Sequence, residues 1–393
     1  MNGVSYENRY GDDKVFDACG LFGIMDVTGQ CFSAHDVVAG ISNMEERGNG
    51  LGGGFAVYGC YPQYADCYAF HVMYTEPDSR AQVEAFMRAN FILVHDEQVP
   101  HQPTSGLDDA PLIWRYFVQV DESAEGYSLQ GEAEYVVSKV MELNTAGQGA
   151  YIYSSGKNVG VFKGAGFPAQ IAEYFELEAY EGYIWTAHAR FPTNTPGWWG
   201  GAHPFSILDW TVVHNGEISS YGANRRYLEM CGYHCTMHTD TEVIAYAADL
   251  LMRRHSLPVE IASKVMAPPL WVEIDRMPPE KQALYRTLRQ AYGGMLVNGP
   301  FTVIIARQGE MIGLPDRIRL RPLTAATGGN RLYLSSEEAS IRLVCPQLER
   351  VWTPMGGEPV VGRLGMQFQA EEAPALQIET LGMMKAPAMA LAA

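Results

Sequence analysis

The sequence predicts a mixed α+β fold in which strands pair antiparallel. Three observations carry that prediction. Strand-like runs outnumber helical ones, both kinds recur along the whole chain, and neither an internal repeat nor an obvious linker divides them.

Taken in order, Gly20 to Asp26 (GLFGIMD) is a short apolar run of the kind expected for a buried strand. Ala34 to Glu46 has helical spacing at Val37, Val38, Ile41 and Met44, and the glycine-rich run Arg47 to Gly54 ends it. Strands are expected at Phe55 to Tyr58, Tyr68 to Tyr74, Ile92 to Val94, Ile113 to Val120, Ala150 to Tyr153 and Val159 to Phe162, with helices at Ser79 to Ala89 and near Glu132 to Leu143. The densest stretch is Tyr183 to Met252. It reads as a strand (YIWTAHARF), a Pro/Gly/Trp-rich loop, a strand pair (Ser206 to Leu208, Thr211 to His214), and helices starting at Ser220 and Thr239. Asp240 and Glu242 fall in the first turn of the second helix, where the macrodipole favours negative charge. Helices near Pro258 to Met266 and Pro279 to Ala291 lead to strands at Phe301 to Ala306, Met311 to Gly313, Arg331 to Leu334 and several between Val351 and Gln369. Beyond Thr380 the Ala/Met-rich end reads as a frayed tail.

Composition narrows the function. The 393 residues suffice for one large domain or two ordinary ones without metal or disulfide staples. The chain carries 28 Lys+Arg against 45 Asp+Glu, a net charge of −17, which argues against a nucleic-acid partner. Seven scattered cysteines suit a reducing compartment better than a disulfide framework. The N-terminus lacks the basic and apolar regions of a secretory signal, and no stretch approaches the roughly 20 apolar residues of a membrane helix. A soluble, cytoplasmic protein without membrane association is the expectation.

Two motifs are set aside. Gly48-x-Gly50-x-x-Gly53 follows a helix and opens a strand, the reverse of a dinucleotide-binding turn, so close backbone packing accounts for it better. Cys231, His234, Cys235 and His238 have soft-ligand chemistry but no common zinc spacing and no second ligand pair, so no metal is expected. The remaining constellation is more specific. Cys19 precedes a Gly and an apolar strand, Arg190 ends a strand in AHARFPTNT, Asn215-Gly216 sit in VHNGEI, and Asp240 sits in HTDTEV. Singly these read as a small core residue, an ion-pair partner, a hairpin turn and a helix-start charge. Those readings do not explain all four together in this order.

Together the segments CGLFGI at Cys19, Arg47-Gly48, HARFPTNT, AHPF at Ala202 to Phe205, HNGEI, TDTE at Thr239 to Glu242, and LRPL followed by LSSEE near Leu320 to Glu338 resemble the class II glutamine amidotransferases. The resemblance runs from about Cys19 to about Gly365 and is closest to the stand-alone glutaminase subunit of glutamate synthases. It implies a four-layer αββα sandwich of the N-terminal-nucleophile hydrolase type with two antiparallel sheets. It divides the chain into a propeptide at 1–18, an amidotransferase domain at 19–370 with an expanded middle at 59–182, and a tail at 371–393. The aromatic residues of that middle, Tyr61, Tyr64, Tyr68, Tyr74, Trp114 and Tyr116, read as extra core, with a docking face as the alternative.

The chemistry follows from what amide hydrolysis needs: a nucleophile, a proton shuttle, oxyanion donors and a clamp for the amino-acid end. If Cys19 becomes the first residue, its α-amine, with a reference pKa of about 8, can take the thiol proton and return it to departing ammonia. The resemblance implies Asn215 and Gly216 as the oxyanion hole. Arg190 suits the substrate α-carboxylate with Thr193 as a hydroxyl helper, and Asp240 suits the α-ammonium. Arg47, Gly48 and His214 are assigned supporting roles. The resemblance further implies L-glutamine as substrate, no cofactor in this chain, and a separate synthase subunit, carrying FMN, that receives the ammonia in a hetero-oligomer. The alternatives are an ammonia-supplying subunit for N-methylglutamate or another amidated product, and a silent glutamine-sensing or scaffold subunit that keeps its propeptide.

Overall fold

The computed structural model describes residues 19–107, 109–123, 127, 131–147, 149–191 and 197–368. The expected propeptide, the tail and Thr193 lie outside them.

Two antiparallel sheets face each other. The larger has seven strands, in the spatial order Arg350–Trp352, Thr324–Gly328, Arg331–Ser335, Gly20–Asp26, Ile184–Ala189, Gly53–Tyr58 and Val159–Gly164. The second has five: Phe205–Ile207, Trp210–Gly216, Phe301–Arg307, Glu310–Pro315 and Val360–Arg363. Strand alternation decides which side chain enters which layer. Leu21 and Met25 point between the sheets and join Val213, Ile304, Met311 and Leu334 in one cluster. Phe22 and Ile24 point the other way, onto Val37 and Ile41 of the helix His35–Ser42 and onto Ile171 and Ile341 of the helices Pro168–Tyr174 and Glu338–Val344. The outer face of the second sheet, with Val212, Val303 and Ile305, packs on Leu228, Val243, Ile244 and Val265 of the helices Tyr221–Met230, Asp240–Ala248 and Val259–Met266. The layers are helix, sheet, sheet, helix, as the resemblance implies. Gly20–Asp26 is buried along its whole length because both faces are covered.

Beyond these two sheets, the middle region folds as a four-stranded antiparallel sheet in the order Ile92–Gln98, Leu112–Gln119, Tyr68–Tyr74 and Ala150–Ser154. Its faces join different cores: Phe70, Val72, Tyr116 and Val118 belong with the second sheet and its helices, whereas Ala69, Met73, Ile113 and Phe117 belong with the first sheet's helical side. Tyr61, Tyr68, Tyr74 and Tyr116 are buried, while Tyr64 and Trp114 are half-buried. Their predominant role is core, as expected.

Several short elements were not revealed by the sequence pattern. Thr324–Gly328 (TAATG) lacks the bulky alternation of a strand, and the helices Pro168–Tyr174 and Glu338–Val344 are only seven residues long. Ile92–Gln98 extends four residues beyond its apolar start because its polar half pairs with Leu112–Gln119. The Asn215-Gly216 hairpin turn is corrected. Both residues are the last of the strand Trp210–Gly216, with Asn215 opposite Thr302 and Gly216 opposite Phe301.

Candidate active site

Strand register builds the site. Gly20 lies opposite Ala189, so Cys19 emerges from the first sheet beside Arg190 and Phe191. The Phe191 N–H points at Cys19 Sγ across 3.4 Å. On the other side of the same strand, Ser336 exchanges backbone and side-chain bonds with Leu21: its N–H donates to Leu21 O at 3.1 Å, and its Oγ accepts from Leu21 N at 3.1 Å. Arg47, on a single 3₁₀ turn after the first helix, donates from Nε to Cys19 O at 3.0 Å and from a terminal nitrogen to Glu337 at 2.8 Å. Burial pushes the Cys19 thiol up. The nearby Arg190 and Arg321 oppose that shift, while Asp240 reinforces it. Thiol, guanidinium and carboxylate therefore lie within electrostatic reach of one another.

Arg190 is 4% exposed and sits in a slot walled by glycine backbone. Its N–H donates to Gly52 O at 2.9 Å, and its carbonyl accepts from Asn49 N at 3.3 Å. A Cβ on Gly52 would come within 2.8 Å of Arg190 Cδ, and one on Gly48 within 3.3 Å of Arg190 O. This explains Gly48 and Gly52 of the glycine run after Arg47: there the chain must pass close along the arginine, whereas Gly50 and Gly53 face Phe167 and the Gly166–Pro168 backbone. Gly54 serves the neighbouring contact, since a Cβ there would sit 2.2 Å from His203 O.

The second sheet supplies the other half. Asn215 is fully buried, and its Nδ2 reaches Ser336 Oγ at 3.5 Å, a long contact. Its Oδ1 has no partner among the described residues. Gly216 follows with φ +144°, and a Cβ there would lie 2.0 Å from Pro300 O, so this position requires glycine. Asp240 opens the helix capped by Thr239, whose Oγ accepts from Thr241 N at 3.2 Å. Asp240 Oδ2 accepts from Ile218 N at 3.0 Å, and Oδ1 lies 3.4 Å from His214 Nδ1 and 3.2 Å from Thr241 Oγ. Burial pushes this carboxyl up, but the His214, Ile218 and Thr241 donors outweigh burial and hold it below the usual carboxylate range.

The structure thus gathers Cys19, Arg47, Gly48, Arg190, His214, Asn215, Gly216 and Asp240. It also recruits Ser336, Glu337, His188, His203 and Thr241, which lie in segments conspicuous in the sequence but give no individual signal there. Cys235 is buried while His234 and His238 are exposed, and no group of three or more metal-ligating side chains occurs among the described residues. Chemically, the arrangement offers a thiol next to a buried guanidinium, a side-chain amide and backbone N–H at a strand end, and an oriented carboxylate. Among the described residues no helix is long and apolar enough to cross a membrane.

An uncharacterized protein of Archaeoglobus fulgidus is 59% identical over 90% of this chain and 94% of its own. A putative glutamine amidotransferase of Methanothermobacter thermautotrophicus is 28% identical over 47% of this chain and 52% of its own. The chain spans about a third to a half of the length of such named relatives. Among solved structures, the glutamine phosphoribosylpyrophosphate amidotransferase from B. subtilis aligns with 89% of this chain and 50% of its own, at 15% identity and a TM-score of 0.42. The signature described as "Glutamine amidotransferases class-II" matches residues 79–350, a range that includes Arg190, Asn215, Gly216, Asp240 and Ser336 and begins after Cys19 and Arg47. With more than half of its length so matched, the chain belongs to the class II glutamine amidotransferases.

Proposed function

We propose that this chain is a glutaminase subunit that hydrolyses L-glutamine to L-glutamate and ammonia through a thioester on Cys19. The observation that carries the reading is the convergence at one point of Cys19 and Arg190 from the first sheet, Asn215 and Gly216 from the second, and Asp240 from the helix packed outside it.

Once 1–18 are removed, the Cys19 α-amine takes the thiol proton, and the thiolate attacks the side-chain carbonyl carbon of glutamine. The C=O pair moves onto oxygen, where Asn215 Nδ2–H and Gly216 N–H donate to it. The ammonium of Cys19 returns its proton to the departing nitrogen, the C–N bond breaks and ammonia leaves. Water then attacks the thioester and gives a proton to the amine, and as the C–S bond breaks the ammonium passes that proton to the departing sulfur, leaving glutamate, free thiol and free amine. Arg190 binds the substrate α-carboxylate with help from Thr193, and Asp240 takes the α-ammonium. Arg47 and Gly48 hold the nucleophile's backbone environment, and His214 braces Asp240. Arg321, which favours the thiolate, adds a cation that the sequence reading did not single out.

Free ammonia is protonated and lost in water, so we assign the product to a separate synthase subunit of glutamate-synthase type that carries FMN, in a cytoplasmic hetero-oligomer. The experiment is intact-mass analysis of the purified protein combined with an ammonia-release assay. A species beginning at Cys19 that releases ammonia from L-glutamine, with release abolished by Cys19→Ala, is the expected result. Full-length protein only, or turnover retained by Cys19→Ala, refutes the mechanism.

A further inference from the structure

We propose that Thr241, braced by His203 and His214, is the positioning residue that aims the Asp240 carboxylate at the substrate ammonium. The proposal rests on the glutaminase reading above, in which Asp240 takes that ammonium.

Thr241 Oγ lies 3.2 Å from Asp240 Oδ1, 3.2 Å from His214 Nδ1 and 3.1 Å from His203 Nε2. A hydroxyl has one proton to give and two lone pairs to receive with, and an ionised carboxylate only receives. The threonine proton therefore goes to Asp240, and both imidazoles must donate to Thr241. This fixes which nitrogens carry hydrogen, and leaves His203 Nδ1 and His214 Nε2 as bare acceptors. Those two buried atoms are the ones without a partner among the described residues. A buried N–H there would be an orphaned donor, and a bare nitrogen costs less.

His188 repeats the pattern. Its Nε2 donates to His214 O at 2.8 Å, and its Nδ1 is the bare, unpartnered atom. Its ring stacks on His203 with centroids 4.0 Å apart. Burial pushes His188 down to about 3 and His203 well below the usual histidine range, so both rings are neutral. Three rings thus agree on one polarity, with every donated proton directed toward Thr241, the His214 backbone or Asp240. Asp240, with a side chain 16% exposed beside a fully buried Thr241, is the point where that array meets the site. The array also ties the layers together, since His188 belongs to the first sheet, His214 to the second, and Asp240 and Thr241 to the helix outside it.

The test is calorimetric titration of the full chain carrying Cys19→Ala, so that L-glutamine binds without being hydrolysed, with L-glutamine and with glutaramate, which has the same amide and carboxylate but no amine. Thr241→Val should weaken L-glutamine binding by roughly tenfold or more while changing glutaramate by less than about twofold, and Thr241→Ser should restore wild-type affinity. In an Asp240→Ala background Thr241→Val should add no further loss. If Thr241→Val melts early, His203→Leu against the donor-retaining His203→Gln gives the same contrast. Unchanged glutamine affinity in Thr241→Val, with a loss in Asp240→Ala, overturns the positioning role and leaves the glutaminase reading standing. Equal loss of both ligands without rescue by serine overturns it as well. Unchanged affinity in Asp240→Ala removes Asp240 from the substrate and takes the proposal with it, whereas loss of Cys19-dependent ammonia release is the separate mark of a failed glutaminase reading.

Discussion

Gly216→Ala separates the backbone requirement at the proposed oxyanion site from general packing. The added methyl would sit 2.0 Å from Pro300 O and 2.9 Å from Phe301 Cα, both backbone atoms of the segment paired with it. A relaxed carbon–oxygen contact is about 3.3 Å, so the strand end must move by more than an ångström, and no side-chain rotation can relieve it. Moving it breaks the 2.9 Å bond from Glu217 N to Pro300 O, worth about 1 kcal/mol. The φ of +144° adds about 1–3 kcal/mol of strain for a residue with a Cβ. The expected destabilisation is about 2–4 kcal/mol, or roughly 2–5 °C in melting temperature for a domain of this size. The same displacement withdraws the Gly216 N–H from the oxyanion, so ammonia release should fall by a factor of about 100 or more. Differential scanning calorimetry and an ammonia-release assay read the two effects. A variant that melts within about 1 °C of the parent and turns over at full rate would refute both the contact argument and the role of Gly216.

Asn215→Ala should lose a factor of about 100 or more in kcat with a smaller melting shift, because no backbone atom is displaced; a full-rate variant removes Asn215 from the oxyanion hole. Arg190→Lys should raise KM for glutamine more than it lowers kcat, since an ammonium cannot form the bidentate fork, and steady-state kinetics with an unchanged KM would count against the carboxylate assignment. Arg47→Ala removes the bonds to Cys19 O and Glu337 and should lower kcat about tenfold through a less fixed nucleophile, without a matching rise in KM. Burial pushes the fully buried Lys163 down from 10.5 to about 7, so between those values the folded protein binds fewer protons than the unfolded one and stability rises with pH. Its contribution is lost as pH falls from 10.5 toward 7, an effect of up to about 5 kcal/mol. Denaturant titrations of wild type and Lys163→Met should therefore diverge between pH 7 and pH 10, and parallel curves would sink this reading.

Much of the site was legible because the chemistry needs residue types that the fold cannot substitute. Cys19 before GLFGI, Arg190 at a strand end and Asp240 at a capped helix start all occupy the expected elements. Asn-Gly was legible as a special position but read as the wrong device: a type I′ hairpin turn needs positive φ at both residues, whereas here only Gly216 has it and the chain continues away from the strand. Ser336 and Thr241 were not legible as functional groups. A serine and a threonine have many uses, and what singles these out is register: Phe22 opposite Ser335 sets Ser336 beside Leu21, and the first turn of a helix sets Thr241 under Asp240. The roles of His188 and His203 come from their bonds to His214 O and Thr241 Oγ and from a stacking contact between rings fifteen residues apart, which no periodicity encodes.

The layered architecture explains why the site needs two sheets. The first presents the proposed nucleophile and carboxylate clamp on adjacent antiparallel strands, so their spacing is fixed by the ladder between Gly20 and Ala189. The second presents the proposed oxyanion donors, and the helix outside it presents the ammonium anchor. The packing between the layers, with the His188–His214 bond across it, sets the distance from one half to the other. Gly23 is part of that packing, since a Cβ there would meet Met311 Sδ at 3.0 Å and Ile304 Cδ1 at 3.3 Å. Side chains at such inter-sheet positions touch no substrate, yet a methyl group too many would widen the gap that Ser336 now spans at 3.5 Å. Because transition-state donors lose their effect steeply with displacement, turnover should be more sensitive than folding to volume changes at the sheet interface.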